Sequence, residues 1–322
     1  MWRYIVKRLI ALVIVLLCVA VIIFCVLWFM PGDPAEVILG LTVPEADREA
    51  LRVKMGWNDP FLVQLGRYLR DVFLHLDFGE SYQYKVPVTQ GFMQFLPRTL
   101  TLGLISVFIQ TVIGIPLGVS AAIHRNTLQD QGLLVFAMVF ISVPQFWFAL
   151  MMVVLFSVKL GWFPVSGMVS ANAGYTGFRL LLDRAWHYIL PLIVIVAANL
   201  GSMTRYVRAA MIDVLSMDYI RTARAKGLKE KVVIYSHAWR NALLPVITQI
   251  ISWFLRLFAG SVVIESTFAF SGMGTLNVTA LNTLDYELAI AINLFFCLVS
   301  LLGILICDLA YGLVDPRIRV SK

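Results

Sequence analysis

Residues 9–32 read LIALVIVLLCVAVIIFCVLWFMPG, a run of 24 residues without a charged side chain. The hydrocarbon core of a bilayer is about 30 Å thick, and about 20 apolar residues in an α-helix cross it. This run therefore predicts a transmembrane helix. Arg3, Lys7 and Arg8 precede it, as in a secretory signal peptide, but the run is too long for one and no small-residue cleavage motif follows. We expect this first helix to be retained.

The rest of the chain is also unusually apolar. Of its 322 residues, 60% are hydrophobic and 14% are charged, whereas soluble domains have about 25% charged residues. Five further runs are long and nearly free of charge; they are 99–123, 131–158, 185–204, 241–264 and 288–307. The sequence thus predicts an all-α polytopic membrane protein with six transmembrane helices. Gly114 and Gly118 have small-xxx-small spacing in the second helix, which predicts a close helix contact there.

Positive charge is concentrated on one side of the predicted membrane. Six spans place both termini on the same side, where the segments carry a net charge of +9, against −2 for the opposite segments. Because Lys and Arg are enriched in cytoplasmic loops, we predict that both termini and the loop 205–245 are cytoplasmic. The net charge of +7 then follows from membrane topology, and we expect no nucleic-acid binding.

One segment on the opposite side, 31–98, is too long and too patterned to be a simple turn. It contains an acidic helical pattern over 44–55 and an amphipathic run over 62–74, so we expect a small extracytoplasmic cap. The chain is then predicted to divide into four parts. They are 1–30, the cytoplasmic N-terminus with the first helix; 31–98, the extracytoplasmic segment; 99–312, the core of helices 2–6 with the cytoplasmic loop 205–245; and 313–322, the cytoplasmic tail.

The polar residues form no recognisable catalytic motif. The sequence has no G-x-x-x-x-G-K-[ST] phosphate loop, no H-E-x-x-H and no G-x-S-x-G, so we expect no catalytic residue, metal site or cofactor in this chain.

Three residues within or beside the spans are candidates for a gate or a transport pathway. Ionisable groups in membrane helices are costly and often functional, which singles out Arg256 and Glu265. They are nine positions apart, about 900° around one continuous helix, so we expect them to face opposite sides. Packing of Glu265 within the bundle is the alternative. Pro144 should kink the third span and could line a passage, but helix packing explains it equally well.

Residues 219–231, YIRTARAKGLKEK, form a basic stretch in the long cytoplasmic loop. Asp218 is a favourable helix N-cap, and Gly227 suits the left-handed position that ends a helix. A helix of eight residues is about 12 Å long and marginal alone, so it must pack against something. It could lie on anionic lipid headgroups, or it could dock on a cytoplasmic partner, with Ala223 and Gly227 permitting close backbone approach.

The same loop resembles that of a known family. RTARAKGL (221–228) followed by HAWRNALLPVI (237–247) is similar to the motif E-A-A-x-x-x-G…I-x-L-P of ABC importer permeases, in the form found in dipeptide, oligopeptide and nickel importers. Arg221 and Thr222 replace Glu and Ala of the general motif, and the separation of Gly227 from Pro245 is five residues longer, as is usual in the peptide branch. Further matches are PGDP (31–34), DFGESYQYKVPV (77–88), LPRTLTL (96–102) and DPRIR (315–319). After Glu265, Phe270 and Ser271 stand where the family usually has Trp and Pro.

This resemblance implies the type I ABC importer permease fold, in the first of two permease types, which has the long segment between helices 1 and 2. The short loop helix would be the coupling helix that sits in a groove of an ATP-hydrolysing subunit. The implied contact residues are Tyr219, Thr222, Ala223, Lys226 and Gly227. A second homologous permease, two ATPase subunits that bind ATP and Mg²⁺, and an extracytoplasmic solute-binding protein would complete the assembly. It would lie in the cytoplasmic membrane of a prokaryote, surrounded by lipid.

The implied function is half of a translocation pathway that works by alternating access and is driven by ATP. Peptides, nickel, a metal chelate or a related small solute are all compatible with the resemblance. The rival hypothesis is a secondary transporter or channel that needs no ATPase. Such a protein would show inverted repeats or paired broken helices, and the sequence shows no such repeat.

Overall fold

A computed structural model describes residues 2–40, 42–171, 173–256 and 261–314, excluding the side chains of 2–5, 244, 256 and 306–314. Its described part is mostly helical. In chain order the helices are α1 (Trp2–Trp28), α2 (Pro34–Leu39), α3 (Glu45–Met55), α4 (Phe61–Arg70), α5 (Val88–Ile123), α6 (Leu128–Ser142), α7 (Gln145–Met152), α8 (Gly177–Leu215), α9 (Asp218–Ala225), α10 (Glu230–Val232), α11 (Trp239–Arg256), α12 (Val262–Thr267), α13 (Met273–Asn282) and α14 (Tyr286–Val314). Three π-helical turns continue α4, α7 and α10; they are Asp71–His75, Val153–Lys159 and Val233–Ala238. Strands β1 (Glu80–Ser81) and β2 (Val86–Pro87) form a short antiparallel hairpin.

Four helices in the described ranges, α1, α5, α8 and α14, are long and apolar enough to cross a membrane. Helix α6 and the segment Gln145–Lys159 pass the same test together, although they meet at an angle of 95°. The bend lies at Pro144, as the sequence predicts, because proline has no N–H to donate and disfavours the helical conformation in the residue before it. Val143 is accordingly extended, with φ −77° and ψ 124°.

The described part of the predicted span 241–264 belongs to two helices. Helix α11 is described as far as Arg256, residues 257–260 lie outside the described part, and Ser261, just before α12, is extended with φ −116° and ψ 93°. The described helices therefore give four spans, or five if the bent pair is one span. Because Arg256 and Glu265 belong to separate helices, the prediction that they face opposite sides of one helix does not apply.

The chain divides into two compact units. Unit 1 contains residues 1–99, 271–309 and 316–322. Within it, Ala20 and Leu27 of α1 belong to one apolar cluster with residues of α13 and α14, and α4 packs on α1. The acidic pattern at 44–55 forms α3 and the amphipathic run at 62–74 forms α4 with its π-helical turn. The segment 31–98 is thus folded, as the sequence predicts.

The hairpin of unit 1 is fixed by one buried carboxylate. Asp285 is fully buried, and it accepts hydrogen bonds from the Ser81 hydroxyl at 2.5 Å and the Gln83 amide at 3.1 Å. Its other oxygen accepts from the amide of Leu288 at 3.2 Å, in the first turn of α14. The carboxylate therefore joins the hairpin to the start of α14.

Unit 2 contains residues 100–270 and 310–315 and is built around the 39-residue helix α8. Helices α6, α7 and α11 all pack on α8. A Cβ atom added at Gly118 would lie 2.6 Å from Cβ of Val207, and one added at Gly114 would lie 2.6 Å from Cγ of Met203. The two glycines therefore allow α5 to approach α8 closely, as their spacing predicts.

Candidate functional site

Helix α9 is anchored by two side chains on its inner face. Ile220 is fully buried and Ala223 is nearly so. Both belong to the apolar cluster that contains Met211 and Val214 of α8 and Val233 of the following π-helical turn. Burying an Ile side chain stabilises a fold by about 1.5–3 kcal/mol, which supplies the tertiary support that so short a helix needs.

The ends of α9 follow the local chemistry of the sequence, with one shift. The N-cap is Met217 rather than Asp218. Asp218 instead lies in the first turn, where its negative charge is favourable beside the free N–H groups. At the other end Gly227 has φ +74°, the left-handed conformation that glycine adopts without strain. Its amide donates to the carbonyl of Arg224 at 3.0 Å.

All residues of α9 except Ile220 and Ala223 are exposed, and the exposed residues that the resemblance implies for coupling share one flank. Tyr219, Thr222 and Lys226 have spacings of three and four residues, so they lie along one flank of the helix, and all three are exposed. We call these three residues the α9 stripe. The Tyr219 hydroxyl accepts a hydrogen bond from Nδ2 of Asn241 at 3.0 Å, and the Thr222 hydroxyl donates to the carbonyl of Asp218 at 3.0 Å. A Cβ atom added at Gly227 would meet nothing within 4 Å, so the stripe continues into open space.

The five residues implied for coupling thus occupy two environments. The structure brings Tyr219, Thr222, Lys226 and Gly227 to an exposed surface, whereas Ala223 is buried beneath the helix. A small side chain at 223 lets α9 lie close to its own chain. Any direct contact of Ala223 with a partner would require the helix to separate from that support.

The loop after α9 is held by an ion pair. Nη2 of Arg224 lies 2.6 Å from Oε1 of Glu230, and its Nε lies 3.2 Å from Oε2. Hydrogen bonding to the Arg224 guanidinium lowers the pKa of the Glu230 carboxyl below its usual value. The pair closes the turn around Gly227, so the end of α9 has a defined geometry.

The gate candidates lie elsewhere in unit 2. Glu265 is 1% exposed, in the short helix α12, and its carbonyl accepts a hydrogen bond from the Phe270 amide at 2.7 Å. Helix α12 packs against α7, whose N-cap is Pro144. The structure therefore places Glu265 and Pro144 in neighbouring elements. The Arg256 side chain lies outside the described residues.

The sequence did not indicate an ion pair that joins α6 to α8 in unit 2. Asp130 of α6 is 1% exposed, and its carboxylate oxygens lie 2.5 Å and 2.7 Å from Nε and Nη2 of Arg208 on α8. The amide of Asn126 donates to the same carboxylate at 2.9 Å. The sequence carried one relevant signal, because Asp130 lies three residues after Thr127, the N-cap of α6. It marks a helix start but does not identify a partner 78 residues away.

Within the described ranges, no group of three or more His, Cys, Asp or Glu side chains could hold a metal ion. The arrangement around α9 is suited to contact rather than to chemistry: a short, supported helix with an exposed polar flank.

Two family models match the chain. The model described as binding-protein-dependent transport system inner membrane component matches residues 114–320. The N-terminal model of the same transport-system membrane components matches residues 1–103. Together they cover nearly the whole chain.

Curated relatives match from end to end. The oligopeptide transport system permease protein AppB of Bacillus subtilis is 39% identical over 320 residues, covering 99% of this chain and all of that protein. A putative peptide transport system permease protein of Brucella abortus is 38% identical, covering 99% of both chains. The glutathione transport system permease protein GsiC of Salmonella typhi is also 38% identical, again covering 99% of both.

One solved structure shows the same fold. An inward-facing conformation of the MetNI methionine ABC transporter matches with a TM-score of 0.50 and 16% identity. The match covers 68% of this chain and 95% of that one.

Proposed function

The chain belongs to the family of binding-protein-dependent transport system inner membrane components, and from this premise we propose that α9 couples it to a separate ATPase. The chain is a permease subunit of an ABC importer, and it is a multi-pass protein of the inner membrane. The family assignment supports ATP-driven import over a secondary transporter or channel, and it implies that ATP hydrolysis takes place in other subunits.

The observation that carries the coupling proposal is the two-sided character of α9. Its inner face is buried in the cluster that contains Met211 and Val214 of α8, and only Ser216 and Met217 separate the two helices. A force applied to the exposed α9 stripe therefore passes directly to α8. The stripe and Gly227 form the contact surface that we propose for the ATPase groove, with Ala223 supporting the helix from beneath.

Alternating access needs energy from outside this chain. To move an equilibrium from 1:99 to 99:1 takes about 5.5 kcal/mol of differential binding. We propose that ATP bound with Mg²⁺ in two partner ATPases supplies it by drawing α9 and its counterpart together. This chain then contributes half of the pathway, with Glu265, Pro144 and Arg256 as candidate gate or pathway residues, and it holds no cofactor.

We also propose the finer topology and assembly. Six spans, with both termini and the loop 205–245 in the cytoplasm, fit the net charges of +9 and −2 on the two sides. The segment 31–98 would then be extracytoplasmic and available to a solute-binding protein. A second, homologous permease would complete the pathway as a heterodimer.

Peptides are the solute class that we propose. The support is that relatives at 38–39% identity are named as oligopeptide, peptide or glutathione transport permeases. Nickel or a metal chelate is the alternative class. Uptake competition between a tripeptide and a nickel chelate would distinguish the two.

A bulky residue on the α9 stripe tests the coupling proposal. Thr222→Trp should block docking and lower ATP-dependent uptake by at least about tenfold, since misplacement of an ATPase contact costs well over 1.4 kcal/mol. Lys231→Trp is the matched control, because Lys231 is exposed in the same loop and is not one of the α9 stripe residues. Uptake into proteoliposomes and co-purification of the ATPase are measured together. Normal uptake and normal ATPase binding in the Thr222 variant would rule out α9 as the coupling helix.

A further inference from the structure

Unit 1 contains a cavity of about 510 Å³ at the ends of α1 and α14. Its size lies within the range of about 300–1,000 Å³ that is usual for small-molecule sites. Aromatic side chains form much of the wall, including Trp28 from α1, Trp57 after α3 and Tyr68 from α4. Tyr286 and Glu287 line it from the first turn of α14. The cavity thus combines an aromatic wall with a carboxylate.

The Glu287 carboxylate is held in a fixed position by the hairpin. It accepts hydrogen bonds from the Glu80 amide at 2.7 Å and from the Tyr82 hydroxyl at 3.0 Å. Gly79 lies so close that a Cβ atom there would overlap the carboxylate, and its φ of +72° also favours glycine. Burial and the neighbouring charge of Glu287 raise the pKa of Tyr82, so its hydroxyl remains a donor.

The charges around the cavity do not balance. Three of the Arg residues at or near the cavity are already engaged by carboxylates: Arg52 with Asp33, Arg67 with Asp59 and Arg70 with Asp71. In the described part of the chain, neither Glu287 nor Asp77, a second lining carboxylate, forms an ion pair. Asp285, two residues before Glu287 in the sequence, is a third carboxyl group here, and it accepts hydrogen bonds from the neutral donors Ser81 and Gln83. The carboxyl groups of Glu287 and Asp77 therefore have no cationic partner in the described part of the chain.

The aromatic wall also favours a positively charged ligand. The rings of Trp57 and Tyr82 are in edge contact, with centroids 5.6 Å apart, and those of Phe24 and Tyr68 are stacked at 5.4 Å. Aromatic faces attract cations, more strongly where water is excluded. The buried hydroxyl of Tyr68 has no hydrogen-bond partner among the described residues, so it can accept from a bound group. The described carboxylates form no metal-binding group, which favours an organic cation over a divalent metal.

We propose that this cavity binds a small organic compound through its primary ammonium group, with Glu287 and Asp77 accepting the N–H bonds and the aromatic wall covering the rest. The site is additional to α9 and to the gate candidates. Only its location outside the cytoplasm rests on the proposed function, because binding itself requires neither ATP nor transport. An α-amino terminus and a lysine side chain have the same ammonium chemistry, and the experiment separates them.

The test measures binding calorimetrically to the purified permease assembly, without any soluble solute-binding protein and without ATP. The probes are trialanine, N-acetyl-trialanine and Nα-acetyl-lysine methylamide at constant ionic strength. Trialanine should bind, and acetylation should weaken binding by about tenfold or more, because it removes a charge-assisted hydrogen bond. Stronger binding of trialanine than of the lysine probe would identify an α-amino terminus as the ligand group, and the reverse would identify a side-chain ammonium.

A charge-neutral variant provides the second arm. Glu287→Gln keeps an oxygen that can accept from Tyr82, and it should weaken trialanine binding by about tenfold or more. Asp47→Asn is the matched control: Asp47 is exposed on α3 and does not line the cavity, so binding should be unchanged. Equal affinity for trialanine and its acetylated form overturns the proposal, whether or not the Glu287 variant folds. Failure of binding with ATP-driven uptake intact would refute this site and leave the proposed function standing.

Discussion

Removing the charge of Asp130 should loosen the packing of α6 on α8. The Asp130 side chain is 2% exposed and that of Arg208 is 19% exposed. Asp130→Asn keeps the shape of the side chain but leaves the guanidinium facing a neutral amide. Breaking a buried pair in this way costs about 3–5 kcal/mol, because the remaining charge is uncompensated. The partial exposure of Arg208 lets water solvate it, so we expect about 3 kcal/mol.

Thermal unfolding of the purified protein measures this loss. At about 2 °C per kcal/mol for a chain of this size, the midpoint should fall by about 6 °C. Asp218→Asn is the control, because its pair with Arg221 is long, at 3.5 Å, and highly exposed. Such pairs contribute little, so the midpoint should barely move.

A double-mutant cycle tests the reasoning itself. Combining Asp130→Asn with Arg208→Met removes both charges, so no buried cation is left without a partner. The double variant should therefore be more stable than the sum of the two single losses by at least about 1 kcal/mol. Strict additivity would show that the two side chains do not stabilise the fold as a pair.

Two further substitutions probe the packing and the electrostatics. Gly201→Ala places a Cβ atom 2.8 Å from Cα of Ala137 and 2.9 Å from its carbonyl oxygen, so α6 must move at a cost of about 1–3 kcal/mol. Gly132→Ala is the control, because a Cβ atom there has no atom within 4 Å. Equal melting midpoints for the two variants would contradict the close contact at Gly201. Burial opposes ionisation of Asp33, but hydrogen bonds from Arg52 and from the Ala35 amide outweigh it and lower the pKa of the carboxyl. A lowered pKa stabilises the fold above the unfolded value of about 3.9 and ceases to do so as the pH falls through the native value. The stability difference between the wild type and Asp33→Asn should therefore shrink from pH 7 to pH 3, and a constant difference would refute the assignment.

The sequence predicts most of the fold because its strongest signals are local. Uncharged runs long enough for a bilayer correspond to α1, α5, α8 and α14, and Pro144 correctly predicts the break between α6 and α7. The same logic did not predict the extended residue Ser261 within 241–264, between the described parts of α11 and α12. Hydropathy measures composition, and it does not show where the backbone leaves the helical conformation.

The candidate site was only partly predictable for a similar reason. Capping signals located α9 to within one residue, and the motif indicated which loop matters. Periodicity alone did not show that Ala223 would be buried, because that depends on Val233 and the rest of a cluster brought together by tertiary packing. The Glu287 cavity was equally hidden, since its hairpin and α14 are separated by about 200 residues in the sequence.

The central claim, that this chain is the permease of an ATP-driven importer, is tested most directly by reconstitution. Proteoliposomes containing this chain and its partner permease are loaded with ATP and supplied with solute and binding protein, with and without the ATPase subunits. We expect solute accumulation only when the ATPase subunits and hydrolysable ATP are both present. Accumulation at the same rate without the ATPase subunits would contradict the account.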